Sequence, residues 1–380
     1  MTGIIVLVAI LAVVGVILLL PAVLRRLTER KLAQLERAKA TIARHEARLA
    51  EEERAKNTIH PEDHGLLLGK DLLMDDEPGP EEEAVLAAAK AGDWRPAAAH
   101  LTADPSPDVR WRRQRALAEL AAEDDTWLRA WRAEHPKDPT AALVHLEGLV
   151  CLAWRIRTGA AASQVTREQF EGFHRVLREA EEYAAEAVAL APGDPNPWVT
   201  QIGIAMGLGW SHERFGELWA ELTERDPHHW AAHAGALQYW CEKWRGSHEL
   251  MHAFIDGAIA SAPAGSLLAP IKLEAYSEQF SRDGESLVAW ERPEVGAALD
   301  AALADLAAAD PDHPRIRYAR GWLAYALTRA ERHTEALEQF RALGQYIPQP
   351  FTTRRDPRQF FIDVRIDAVR GAVAAAGRDA

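Results

Sequence analysis

A period constrains this 380-residue chain more than any other feature. Two adjacent stretches, PWVTQIGIAMGLGWSHERFGELWAELTERDP and WAAHAGALQYWCEKWRGSHELMHAFIDGAIASAP, share one layout. Ser211 and Ser247 stand 36 residues apart, and so do Pro227 and Pro263. Each stretch reads as an apolar helix, a short glycine-containing turn, a second helix opened by serine, and a closing proline. A serine hydroxyl accepts a bond from a free first-turn amide, and proline cannot continue a helix. A unit of this size cannot bury its apolar face alone, so it must stack on its neighbours. From about Glu81 onward apolar residues recur at helical spacing, and no stretch alternates as a half-buried strand would. Four Asp-Pro pairs, at Asp138, Asp194, Asp226 and Asp310, are expected at helix starts, with the acid capping and proline in the first helical position. The sequence therefore predicts an all-α domain of stacked helix pairs over residues 81–376.

The stretch RGWLAYALTRAERHTEALEQFRALGQYIP places Leu323, Ala324, Ala336, Phe340 and Pro348 at offsets that resemble the tetratricopeptide repeat. AEEYAAEAVALAP repeats the second half with Ala180, Ala184, Ala187 and Pro192, and AGDWRPAAAHL resembles the repeat's turn around Gly92–Trp94. Small residues at the alanine positions let paired helices approach. Repeat lengths vary, and Gln164–Gly172 and Glu278–Glu294 read as insertions. KWRGSHELMHAF is also similar to a Trp-x-Gly-Ser…Met…Phe pattern of bacterial repeat domains, which brings no activity with it. The resemblance implies a tetratricopeptide-like α-solenoid that binds a protein or peptide partner through its surface.

The N-terminal run GIIVLVAILAVVGVILLLPAVL, residues 3–24, carries no charge. A helix of that length rises about 33 Å, enough for the roughly 30 Å hydrocarbon core. No basic residue precedes it, which argues for a transmembrane helix over a cleaved signal peptide. Arg25, Arg26, Arg30 and Lys31 follow it, so the C-terminal bulk is expected on the cytoplasmic side of a cell membrane. Cys151 and Cys241, far apart in apolar segments, read as buried thiols in a reducing compartment. Residues 25–56 form a charged helical stalk. Leu35, Ile42 and Leu49 make one heptad seam, while Leu32, Lys39 and Glu46 make a poor second one. A short coiled coil, and a homo-oligomer built through it, stays open beside a solvated stalk. Residues 57–80 read as an acidic flexible linker with two apolar clusters. A net charge of −13 without a basic, aromatic-interleaved run argues against nucleic acid.

One motif points to chemistry. His248-Glu249-Leu250-Met251-His252 spells HExxH, in which two histidines on one helical face hold zinc and the glutamate polarises a bound water. Glu274, 22 residues past His252, stands where thermolysin-like zincins, which this pattern resembles, take a third ligand. Membrane-bound zincins with attached tetratricopeptide repeats exist, so a zinc metalloprotease is the alternative reading. The repeat argues against it. Ser211-His212-Glu213 aligns with Ser247-His248-Glu249, while Gly216 fills the position of His252. The triplet is then a helix start, with serine as cap and glutamate at the positive end of the dipole. Gly246-Ser247 also leaves His248 in a first turn, a poor platform for a rigid ligand pair. His229 and His233 share an i, i+4 spacing and read as a first-turn and a surface or groove histidine. No phosphate loop, nucleophile elbow or CxxC pair occurs, so no catalytic residue, metal or cofactor is expected. Of thirteen tryptophans, Trp198, Trp210, Trp219, Trp230, Trp240 and Trp244 crowd the central repeats. Gap-filling is their ordinary role. In the other role some anchor a partner, and Trp240, Trp244 and Arg245 are the candidates. The sequence thus points to a non-enzymatic membrane-tethered scaffold that holds a protein or peptide at the inner membrane face.

Overall fold

The computed structural model describes Lys39 and residues 60–67, 71–75, 77–159 and 162–378. The chain divides into two units, Met1–Asp63 and His64–Ala380, and the helical domain is the second. The expected membrane span 3–24 lies outside the described residues, as does the stalk 25–56 apart from Lys39, which is helical. Among the described residues no helix is long and apolar enough to cross a membrane.

Fifteen α-helices make up nearly all regular structure among the described residues. The first are α1 (Pro80–Lys90) and α2 (Arg95–Thr102), then α3 (Pro107–Ala121) and α4 (Thr126–Glu134). Next come α5 (Pro139–Arg157), α6 (Arg167–Leu190), α7 (Asn196–Leu208) and α8 (His212–Arg225). The centre continues with α9 (Trp230–Tyr239), α10 (His248–Ser261), α11 (Ile271–Asp283) and α12 (Pro293–Ala308). The C-terminal end holds α13 (Ile316–Arg329), α14 (His333–Leu343) and α15 (Pro357–Arg378). Two two-residue strands, β1 (Leu73–Met74) and β2 (Tyr346–Ile347), pair in parallel. The fold is all-α, as the periodicity predicts. The segments that read as insertions become the first turns of the 24-residue α6 and a 3₁₀ turn, Leu287–Glu291, ahead of α12.

Local chemistry sets the boundaries. Ser211 and Ser247 cap α8 and α10, their hydroxyls accepting from Arg214 N at 3.3 Å and Leu250 N at 3.2 Å. Of these four Asp-Pro pairs only that at Asp138 caps as expected, Asp138 accepting from Thr140 N and Ala141 N at the head of α5. In the other three the carboxylate accepts from the amide two residues on: Asp194 from Asn196 N, Asp226 from His228 N and Asp310 from Asp312 N. That closes an Asx turn, so the helix begins later, at Asn196, Trp230 and Ile316.

Helices pack chiefly on their sequence neighbours, α5 along α6, α6 along α7 and α13 along α14. Ala180, Ala184 and Ala187 line the buried face of α6. Close approach also fixes Gly207 on α7, where an added Cβ would lie 2.2 Å from Leu177 Cδ1. Trp94 stacks on Trp131 at 5.2 Å in the N-terminal core. Phe215 stacks on Tyr239 at 3.7 Å in the central one. Several bonds between central units repeat at nearly one sequence offset. Arg225 Nε donates to Pro192 O (2.6 Å, offset 33), and Arg245 Nε to Trp210 O (3.2 Å, offset 35). Lys243 Nζ reaches Glu278 (2.7 Å, offset 35), and Gln238 Nε2 donates to Glu274 Oε1 (2.7 Å, offset 36).

Two sets of contacts reach much farther along the chain. Asp108, in the first turn of α3, accepts from Trp230 N and Ala231 N at the head of α9, each at 3.2 Å. The same carboxylate pairs with Arg315 at the head of α13 at 3.5 Å. The second set is made by the acidic segment ahead of α1. Leu66 and Leu72 are buried, and β1 pairs with β2 in the loop after α14. The first and last helix pairs of the unit are therefore joined through a segment that ends within a few residues of α1.

Candidate functional site

The turn between α9 and α10 gathers the residues that the sequence singles out. After Tyr239 the chain doubles back: Arg245 N donates to Tyr239 O at 3.3 Å and Gly246 N to Cys241 O at 3.2 Å. Gly246 is required there, since an added Cβ would stand 1.8 Å from Trp240 O. This backbone crossing sends the three candidate partner-binding residues to different places. Trp240 is half-buried and packs against the central core, 5.7 Å edge-to-face with Phe215 and 4.8 Å from His212. Its indole N–H is buried without an acceptor. Trp244 is half-buried, edge-to-face with Trp154 at 5.3 Å, and the Arg157 guanidinium lies 5.2 Å over Trp244 and 5.6 Å over Trp154. Arg245 is exposed overall, but its Nε is engaged with Trp210 O and its own carbonyl accepts from His212 Nε2 at 2.6 Å. Trp244, Trp154 and Arg157 form one aromatic surface of this region, while Trp240 covers the Phe215 side of the central core.

The HELMH residues diverge as well. His248 is the first residue of α10 and its Nε2 donates to Asp283 Oδ1 at 3.1 Å. His252 Nε2 donates to Gln279 Oε1 at 2.7 Å, its ring resting 4.7 Å from Tyr276. Burial pushes the His252 pKa down, which keeps the ring neutral with its proton on Nε2. The Nδ1 atoms of both rings are buried without a partner. Glu249 is exposed, its carboxyl held below the usual range by the Ser247 hydroxyl and its own backbone N–H. Glu274 sits in a separate buried network, accepting from Gln238 Nε2 at 2.7 Å and Tyr318 OH at 2.6 Å. Burial raises its pKa despite those donors. Among the described residues, no group of three or more His, Cys, Asp or Glu side chains could hold a metal ion.

His229 and His233 lie in the interior rather than on a surface or groove, both nearly fully buried. His229 Nδ1 accepts from Ala232 N at 3.3 Å, so Nε2 carries the proton and donates to Asn196 Oδ1 at 3.1 Å. His233 Nδ1 donates to His229 O at 3.0 Å. Burial lowers both pKa values. Sequence reasoning misses the junction around Asp108, where Arg315 also lies 4.4 Å over the Trp230 ring. The signal available, an acid in a first helical turn, reports a cap on its own helix rather than one made on α9. No family model, curated protein or solved structure matches the chain.

Proposed function

We propose that the protein is a membrane-tethered scaffold whose helix pairs stack as a tetratricopeptide-like solenoid on the cytoplasmic side and hold a protein or peptide partner. The observation that carries this reading is a set of bonds between central units that recurs at offsets of 33 to 36 residues. Stacked units of constant length produce such a ladder, and stacked arrays work through the extended surfaces they create. Trp244 is the proposed anchor, because a half-buried tryptophan braced by a second ring and a guanidinium meets a partner with little conformational entropy left to lose. Tethering by residues 3–24 raises the local concentration, so a weak surface suffices.

Crosslinking and affinity purification from native membranes test the reading with wild type, Trp244→Ala and Glu249→Ala. A specific partner should be recovered with wild type and Glu249→Ala and lost with Trp244→Ala. Recovery unchanged in Trp244→Ala removes the anchor. One-to-one zinc in the dialysed protein, with a peptidase activity that Glu249→Ala abolishes, replaces the scaffold with the protease.

A further inference from the structure

Residues 64–67 and 71–75 lie against the C-terminal hairpin as a peptide lies in a receptor. Their leucines alternate in exposure. Leu66 and Leu72 are 2% and 1% exposed, while Leu67 and Leu73 are 49% and 42% exposed. The main chain is read directly: Leu73 N donates to Gln345 O at 2.8 Å and Asp75 N to Ile347 O at 3.0 Å, in parallel register. Arg341 Nε donates to His64 O at 2.9 Å, and Arg365 Nη1 donates to Leu67 O. Arg317 closes the far end, bonded to Asp75 at 2.7 Å and stacked 3.5 Å over Tyr346.

Arg365 distinguishes a receptor from ordinary packing. Its side chain is fully buried against the Phe361 ring, 4.9 Å away, and it has no ion pair among the described residues. Nε and Nη2 are buried without acceptors, which leaves the Leu67 carbonyl as its hydrogen-bond partner. A buried guanidinium without a carboxylate is destabilising within a core. It is suited to a groove that takes main-chain carbonyls from an incoming strand.

We infer that the face formed by α13, α14, α15 and β2 is a receptor for an extended peptide, filled here by the chain's own residues 64–67 and 71–75 and able to take the same residues from a second copy of the chain. The recognised pattern is two leucines six residues apart, the main-chain carbonyl just after the first and an acid three residues past the second. Cis occupancy dominates in a single chain because the segment is covalently held beside its groove. When the cis segment is weakened, exchange with a second chain joins two molecules by a swapped strand. This face is separate from the Trp244 surface, so the two stand or fall independently.

The test uses the full chain in mild detergent and a fluorescent synthetic peptide of residues 63–77. The Leu66→Asp/Leu72→Asp chain, with its groove vacated, should bind the peptide saturably and at least about tenfold more tightly than wild type, whose groove is occupied. Adding Arg365→Met to that chain should weaken binding, and a peptide carrying both aspartates should not bind. Circular dichroism establishes whether each variant is folded. A folded double variant that does not bind, or equal binding by wild type, overturns the proposal. If the double variant does not fold, hydrogen exchange on isotope-labelled wild type decides. Excess unlabelled peptide should speed exchange at the Leu73 and Asp75 amides while α13 stays protected, and no change at saturating peptide overturns the proposal.

Discussion

Replacing Asp108 with alanine probes the contact that joins three distant helix heads. The carboxylate caps α9 from outside, accepting from Trp230 N and Ala231 N at 3.2 Å each, and it faces Arg315 at 3.5 Å. The Asp108 and Arg315 side chains are only 19% and 16% exposed, so solvent screens the pair little. Each lost cap bond is worth about 1 kcal/mol. A guanidinium stranded without its carboxylate adds roughly 3 kcal/mol. Asp108→Ala should therefore destabilise the unit by about 5 kcal/mol, a large share of the roughly 5–15 kcal/mol of an ordinary domain. Asp108→Asn retains an acceptor for one amide and should cost about half as much. Denaturant unfolding of the full chain in detergent, followed at the helical circular dichroism band, reads both. A double-mutant cycle with Arg315→Met should give a coupling of at least about 1.5 kcal/mol. Loss of the junction should also split one transition into two, since contacts limited to neighbours let units melt separately. An Asp108→Ala effect below about 1 kcal/mol, or strict additivity with Arg315→Met, would refute the reasoning.

Gly246→Ala should destabilise by about 2–3 kcal/mol, because its Cβ would collide with the Trp240 carbonyl at 1.8 Å and open the turn; thermal unfolding checks it, and a neutral substitution contradicts the crossing. Trp240→Ala should cost about 2–3 kcal/mol by uncovering the Phe215 side of the central core, and Trp244→Ala, which has fewer core neighbours, about half of that. Stability should be complete above pH 6.5 and fall as the solution is acidified toward about 4. Burial lowers the pKa values of His229, His233 and His252 and brings His145 to about 4, so the unfolded imidazoles take up protons first. Glu274, whose folded carboxyl has a raised pKa, offsets part of that loss near the lower end of the range. Denaturation midpoints across this range report the sign. Burial raises both cysteine pKa values, that of Cys241 to about 12, so neither should react with a thiol reagent until the protein unfolds.

Features whose partner lies within one turn were legible in the sequence. Ser211 and Ser247 announce their caps because the amide each satisfies is three residues away. Three of the four Asp-Pro pairs mark the right places and the wrong start residues, since aspartate satisfies a turn amide as readily as a helical one. Periodicity identifies the buried face of a helix and says nothing about which distant element covers it. That is why Asp108, whose partners on α9 are 122 and 123 residues away, passes for an ordinary first-turn acid. Trp240 and Trp244 look equivalent one turn apart, and only the fold shows that the first meets Phe215 and the second Trp154. The leucines at 66 and 72 read as apolar, but their seat is formed by the last helices of the chain.

That seat has a consequence in time. His64 and Arg341 are 277 residues apart, and Leu67 and Arg365 are 298 apart. At roughly 5–20 residues per second, His64 is synthesised some 15–55 s before its partner exists. Throughout that interval the nascent chain carries Leu66 and Leu72 without their seat, while the intervening helix pairs form behind them. The first segment of the unit to be made is thus among the last to be settled, and completion of the C-terminus is the event that draws it in.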